Sequence, residues 1–265
     1  MKKIVAIIQA RMGSSRLPNK IMFEVLNKPL IAWMVSRARF SSHIDEIVIA
    51  TTKNKSDDVI EKWANEEGIR IYRGSESDVL DRYYKCAVFC QAEIIIRLTS
   101  DCPLIDPEII DSMLQLYKEN NFDYISNSEP YPSSWPDGMD VSIFNMPSLQ
   151  TAWKKANLPS EREHVTFYFW KNPNLFKCYK FDNKMDMSKY RVTIDYEEDY
   201  ILIKNIIEAF GENNVLSYSG ASMSKIINFL NDNPKIFELN SKYYHGIGWE
   251  SALNRDKNYL AGEGK

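Results

Sequence analysis

Residues 4–20 read Ile4-Val-Ala-Ile-Ile8-Gln-Ala10-Arg11-Met-Gly13-Ser14-Ser15-Arg16-Leu-Pro18-Asn-Lys20. The apolar run 4–8 predicts a strand, and the loop behind it sets Arg11, Arg16 and Lys20 around a flexible Gly13-Ser14-Ser15 turn. Pro18 stiffens the backbone ahead of Lys20. Backbone N–H groups, two hydroxyls and three fixed cations at a strand end make a receptor for a polyphosphate. The pattern is not a Walker A loop, because no Gly-Lys-Ser/Thr ending follows. Nor is it the three-glycine dinucleotide fingerprint. An ordinary surface loop is the plainer alternative, but cations so placed behind a first strand favour a nucleotide triphosphate site.

Outward from that loop, strands and helices alternate. A helix starts at Pro29, with Leu30, Trp33, Met34 and Arg37 along one side. Strand 46–51 leads to a helix capped by Ser56, with Asp57 and Asp58 in its first turn and Gly68 at its end. Strand 69–73 leads to a helix capped by Ser77 that runs to about residue 91, and 94–98 reads as a buried central strand. This order predicts an α/β fold: a mostly parallel sheet with helices on both faces, its ligand beyond the carboxyl ends of the strands. Farther on, the pattern predicts helices over 107–120, 147–157, 161–171 and 197–210. It places strands near 122–126, 138–144, 176–181 and 191–194. From about 222 the chain reads as helical, then irregular and aromatic. No repeat or low-complexity linker divides it, so the expectation is one domain with room for an embedded oligomerisation insert.

The charge pattern narrows the ligand. Five Lys or Arg and no acid precede Glu24, so a net charge of −3 leaves −8 on the rest of the chain. A basic loop on an acidic body suits a small anion better than a nucleic acid polymer or an anionic membrane. Cys86, Cys90, Cys102 and Cys178 show no metal-binding spacing and read as packing residues. No apolar run approaches the length of a membrane span, and a cytoplasmic location with reduced thiols is expected.

Two aspartates that follow strands stand out. Asp101, in Arg97-Leu-Thr-Ser-Asp101-Cys-Pro-Leu-Ile-Asp106-Pro, emerges where a buried strand ends, a costly place for a carboxylate without a cation partner. Asp195, in Arg191-Val-Thr-Ile-Asp195-Tyr-Glu-Glu-Asp199, follows another strand pattern, although a helix cap would explain it about as well. Together the pair suits a Mg²⁺ that also binds phosphate oxygens. Asp106, before Pro107 and a helix, reads as an N-cap. The stiff turn from Tyr131 to Asp140 offers Asp137 and Asp140 to sugar hydroxyls. Residues 159–164 read as a helix start, capped by Ser160 and closed by Glu163, with an anion or hydroxyl contact left open.

These segments, with Arg73-Gly74-Ser75-Glu-Ser-Asp78-Val-Leu-Asp-Arg82-Tyr83 and Ser160-Glu161-Arg162-Glu163-His164, resemble the cytidylyltransferase family over about residues 3–210. The resemblance is to the CMP-Kdo and acylneuraminate synthetases, and within them to the spore-coat polysaccharide biosynthesis protein F type. It implies a three-layer α/β/α nucleotide-diphospho-sugar transferase fold of Rossmann-like form. That puts the nucleotidyltransferase domain at 1–215, an oligomerisation insert at about 128–190 and a C-terminal extension at 216–265. The resemblance implies that Arg11, Ser14, Ser15, Arg16 and Lys20 hold the CTP phosphates, with Ala10 and Gly13 also in the nucleotide site. It assigns Gly74, Ser75, Asp78 and Arg82 to the base and ribose, and Asp101 and Asp195 to Mg²⁺. Asp137, Asp140, Glu161, Arg162 and His164 would face the acceptor, with a homodimer as the assembly. Ser100 stands where relatives often have Gly, and Tyr196-Glu197 replaces a more usual Glu-Pro. The expected reaction is CMP transfer from CTP to a sugar acid or a phosphorylated sugar or polyol, with Arg11, Arg16, Lys20 and Asp101 catalytic. The alternatives are a glycosyltransferase using an NDP-sugar and a non-catalytic nucleotide-binding protein.

Overall fold

The computed structural model describes residues 2–244 and 246–261. Among the described residues nine strands form: β1 (Ile4–Gln9), β2 (Glu24–Val25), β3 (Lys28–Pro29), β4 (Glu46–Thr52), β5 (Arg70–Gly74), β6 (Ile94–Thr99), β7 (Tyr124–Ser126), β8 (Ser142–Asn145) and β9 (Cys178–Lys180). Seven of them make one sheet in the order β5-β4-β1-β6-β8-β7-β9, and β2 pairs with β3 in a separate hairpin. The pairs β5·β4, β4·β1 and β1·β6 are parallel, while β8 runs against both β6 and β7. The first half is therefore the expected doubly wound unit, and the carboxyl ends of β1, β4, β5 and β6 share one edge.

Strand alternation divides the core in two. Ile4, Ala6, Ile8, Ile94, Ile96 and Leu98 face one layer. Val5, Ile7, Val48 and Ile95 face the other, against the helix Val79–Cys90. The four cysteines are free, and Cys86 and Cys90 pack in this second layer. Residues 128–190 supply β8 and β9 to the central sheet.

The chain beyond residue 215 is tied back at several points. Arg37 is fully buried and donates to the carbonyls of Ile105, Val215 and Ala221, and burial pushes its guanidinium down to about 10. Asp106 caps its helix through Glu108 N–H, as expected, and its second oxygen accepts from Met223 N–H at 2.7 Å. The helix Ile247–Leu260 returns to the sheet edge, where Asp256 accepts from Ser160 and Lys171.

Four expectations are corrected. The helix after β4 starts at Asp58, preceded by a 3₁₀ turn, and Ser56 does not cap it. Asp57 is instead buried between β4 and the basic loop. The helix before Cys90 is capped by Asp78, which accepts from Asp81 N–H at 2.9 Å, and not by Ser77. The predicted helix 161–171 is two, Pro159–His164 and Phe167–Lys171, broken at Val165 with φ 62° and ψ −52°. Thr166 N–H closes a γ-turn there on His164 O, a conformation that strains a β-branched residue by about 1–3 kcal/mol. Ser160 does not cap the first of these helices; Glu161 reaches back to the N–H groups of Asn157 and Leu158, each at 3.2 Å. Finally, residues 191–194 form a single bridge, Asp137 to Arg191, rather than a strand, because their N–H groups divide between Asp137 O and Asp101 O.

Candidate active site

The basic loop leaves β1 at the carboxyl edge and folds on itself. Ser14 N–H and Asn19 N–H both donate to Met12 O, at 2.9 and 3.0 Å. Met12 N–H donates to Asp57 at 2.8 Å, and Thr51 and Thr52 at the end of β4 bond the same carboxylate. A carboxylate saturated by four donors is a rigid post. It fixes the height at which the loop crosses the sheet edge. A reading of Asp57 as a first-turn helix acid had missed this role, and nothing local in the sequence distinguishes it from Asp58.

Lys20 turns inward, almost fully buried, and its ammonium donates to Asp101 Oδ2 at 3.0 Å, Asp195 Oδ1 at 2.9 Å and Ile194 O. The two aspartates, 94 residues apart in sequence, thus converge on one cation. Burial alone would lower the ammonium pKa, but the two carboxylates outweigh it and hold it above its ordinary value. Asp195 shows the reverse balance: burial pushes it up, and Lys20, Arg16 and Arg191 hold it well below the usual carboxylate range. Arg16 meets Asp195 at 2.6 Å and lies over the ring of Tyr196, which stacks on Tyr243 with ring centres 3.7 Å apart.

Arg191, which the sequence pattern did not single out, organises the far wall. Its guanidinium bonds Asp137, Asp195 at 3.1 Å and both oxygens of Asp199 at 2.9 and 3.0 Å. Asp199 also accepts from Asp195 N–H and Tyr196 N–H and so caps the helix Glu197–Phe210. Gly138, at φ 102°, lets the 137–140 turn pass the 192–193 backbone, since a Cβ there would come within 2.5 Å of Thr193 N.

Two contiguous clefts open above these groups. One, of about 370 Å³, is lined by Ala10, Arg11, Ser14, Ser15, Arg16 and Lys20, with Arg82, Asp101 and Asp195 across from them. The other, of about 190 Å³, is lined by Asp137 and Asp140 with Arg191 and Glu129. Both share Arg16, Asp101, Asp195 and His164. Gly13, Gly74, Ser75 and Asp78 lie behind the first wall. Gly74 packs against Arg82, whose guanidinium donates to Ser75 O, and Asp78 is ion-paired with Arg162. Glu161 and Arg162 therefore bond within the protein rather than facing the second cleft, the first capping its helix and the second holding Asp78. Glu163, paired with Arg255, takes a place on the first cleft that the sequence had not suggested. His164 stacks on Phe167, and burial, helped by Arg97 and Arg255, pushes it down to about 3. It is neutral at physiological pH.

Comparison with known proteins agrees with this geometry. The cytidylyltransferase family model matches residues 5–226. This chain belongs to the cytidylyltransferase family. It is a CTP-dependent nucleotidyltransferase on a mostly parallel α/β sheet. It is 35% identical over 241 residues to the spore coat polysaccharide biosynthesis protein SpsF of Bacillus subtilis, covering 88% of this chain and 96% of that one. An uncharacterized protein of Methanocaldococcus jannaschii is 36% identical over 241 residues, covering 90% and 95%. Among solved structures, a cytidylyltransferase from Leptospira borgpetersenii is similar with a TM-score of 0.82 and 35% identity, over 90% of this chain and 98% of that one. A CMP-2-keto-3-deoxy-manno-octonic acid synthetase complexed with CTP shares the fold at a TM-score of 0.59 and 18% identity, over 78% and 99%. The family match stops at residue 226, so the cytidylyltransferase-matched segment excludes Tyr243, Gly246 and Arg255, all of which reach the site from the C-terminal extension.

Proposed function

We propose that this cytidylyltransferase transfers CMP from CTP to a sugar acid or a phosphorylated sugar or polyol, with Mg²⁺, and releases pyrophosphate for surface polysaccharide or glycoconjugate synthesis. The observation that carries the reading is the convergence of Asp101 and Asp195 on Lys20 at the seam between a basic cleft and an acid-rich one. The residues fit a divalent cation, because two carboxylates already meet around a positive charge. No cluster of three or more His, Cys, Asp or Glu suited to a metal occurs among the described residues, which matches a cation completed by phosphate oxygens. Bound there, Mg²⁺ would neutralise phosphate charge and act as a Lewis acid.

The remaining work falls to the protein. Arg11 and the Ser14-Ser15 turn would seat the triphosphate, and Arg16 and Lys20 would offset the charge that grows on the departing pyrophosphate. An acceptor oxygen held in the second cleft attacks the α-phosphorus in line. The P–O bond to the pyrophosphate breaks as the new P–O bond forms. His164, neutral and weakly basic, would hydrogen-bond the acceptor rather than take its proton. Asp137, held by Arg191, and Asp140 both line the second cleft and would meet acceptor hydroxyls there. The site faces no membrane-spanning element: no described helix is long and apolar enough to cross one. A cytoplasmic homodimer belongs to the same reading, with sedimentation as its check.

The test is pyrophosphate release from each NTP with Mg²⁺ and a panel of acidic sugars and phosphorylated polyols. Acceptor-dependent release with CTP supports the reading. Free NDP released from an NDP-sugar would replace it with glycosyl transfer, and no turnover with any pair would leave nucleotide binding alone.

A further inference from the structure

Three buried polar atoms with no hydrogen-bond partner in the protein face the seam of the two clefts: Gln9 Oε1, Arg97 Nε and His164 Nε2. Buried polar groups almost always pair, because an unsatisfied one forfeits about 1–3 kcal/mol. Three at one place point to a ligand that satisfies them.

Arg97 is the most telling. It stands on β6 between Ile96 and Leu98, which face the opposite core layer, and it pairs in register with Ser142 of β8. The cations beside it are committed: Lys20 to Asp101 and Asp195, Arg16 to Asp195, and Arg191 to Asp137, Asp195 and Asp199. Among the described residues Arg97 forms no ion pair. Glu129 and Asp140 act on it from a distance, and Glu129 accepts from the Tyr124 hydroxyl at 2.8 Å. Arg97 is half-buried, and an enclosed Nε with no partner among the described residues is costly to hold. Its planar fork matches an oxyanion bidentately. Burial opposes its charge, but the surrounding Tyr83, Glu129, Tyr124 and Asp140 outweigh that and keep it protonated.

We propose that Arg97 is the anchor for an oxyanion carried by the acceptor, a carboxylate or a phosphate, with Gln9 Oε1 accepting a hydrogen bond from an acceptor hydroxyl. This rests on the reading of the second cleft as the acceptor site. The triphosphate has its own cations in Arg11, Arg16 and Lys20. By contrast, the groups acting on Arg97 from the cleft, Glu129 and Asp140, belong to the second wall.

The experiment compares wild type with Arg97→Gln and Arg97→Lys by calorimetry and thermal melting. CTP is titrated first. The CTP-loaded proteins then receive inorganic phosphate or glycolate. Arg97→Gln should bind CTP within about twofold of wild type and lose about tenfold or more in affinity for one of the two anions, with Arg97→Lys between them. Loss on phosphate assigns a phosphorylated acceptor, and loss on glycolate assigns a carboxylate. The melting temperature should change little, since no hydrogen-bond partner among the described residues is left unpaired. Weakened CTP binding would hand Arg97 to the nucleotide and overturn the proposal. So would wild-type-like anion affinities in Arg97→Gln, or no anion binding by the loaded wild type. If wild type fails to bind CTP, the cytidylyl-transfer reading falls instead. An Arg97-dependent anion affinity would then still stand as a separate result.

Discussion

The two clefts are built in opposite ways. The cleft proposed for the nucleotide comes mainly from one short loop, residues 10–20, with Arg11 and Arg16 exposed, Lys20 turned inward and its backbone held by one buried carboxylate, Asp57. The acceptor side is assembled from segments around 97, 128–140, 164, 191–195 and 246, and its charges are locked into each other through Arg191. A triphosphate brings its own charge and many oxygens, so a loop of donors on a firm post suffices. An acceptor must be told from similar polyols, and that needs groups held in place before it arrives. Arg97 on that side stands apart, with no ion pair among the described residues. The contrast between Arg191 and Arg97 separates charges that hold the protein together from a charge kept for a ligand.

The largest expected effect lies where the two clefts meet. Asp101→Asn should lower the turnover number roughly 10³-fold with little change in melting temperature, because its side chain is 29% exposed and only one contact is altered. Pyrophosphate release measures it, and near-normal turnover would break the division at its seam. Next comes Arg191→Met, which strands Asp137, Asp195 and Asp199 and should cost about 3–5 kcal/mol in denaturant unfolding. The matched change Arg97→Met breaks no ion pair among the described residues and should cost clearly less than Arg191→Met; equal losses in the two variants would erase the distinction between them.

Asp57→Asn tests the nucleotide side. One amide oxygen cannot serve four donors, so the loop should loosen, with about 1–3 kcal/mol lost in stability and a weaker grip on CTP. Unchanged CTP affinity would mean the loop holds its own shape. The last effect, confined to acid pH, concerns His164. Its folded-state value of about 3 lies below the ordinary 6.5, so between these limits the unfolded chain binds more protons than the folded one. Stability contributed by the neutral ring is therefore complete above about pH 6.5 and is lost as pH falls toward 3. His164→Phe should flatten that part of the stability profile, and an unaltered slope would place the titration elsewhere.

Much of the first half was legible along the chain. The helix 107–120 and the helix 197–210 lie where periodicity and capping put them, and Asp106 caps as expected. The parallel order followed from alternation of apolar runs with helical patterns. The break at Val165 was not legible, since a helical apolar pattern continues through it; the turn brings the ring of His164 onto that of Phe167. The segment 191–194 looked like a strand for a similar reason. Its alternation is real, but Arg191 and Thr193 are spent on Asp199 and Asp101 instead of on a sheet face. The resemblance assigns Glu161 and Arg162 to the acceptor, but motif position cannot tell a charge that faces a cleft from one that bonds its neighbours.

By itself the sequence determined the α/β alternation, the basic loop behind β1 and the two aspartates at strand ends, because these depend on local spacing and on where a chain must leave the core. Tertiary structure alone decided which charges neutralise one another. Lys20 meeting Asp101 and Asp195, Asp57 holding Met12, Arg191 taking three carboxylates and Arg97 taking none all depend on distances between segments far apart in the chain. Electrostatic pairing acts over a few ångströms in space and carries no signature in sequence separation.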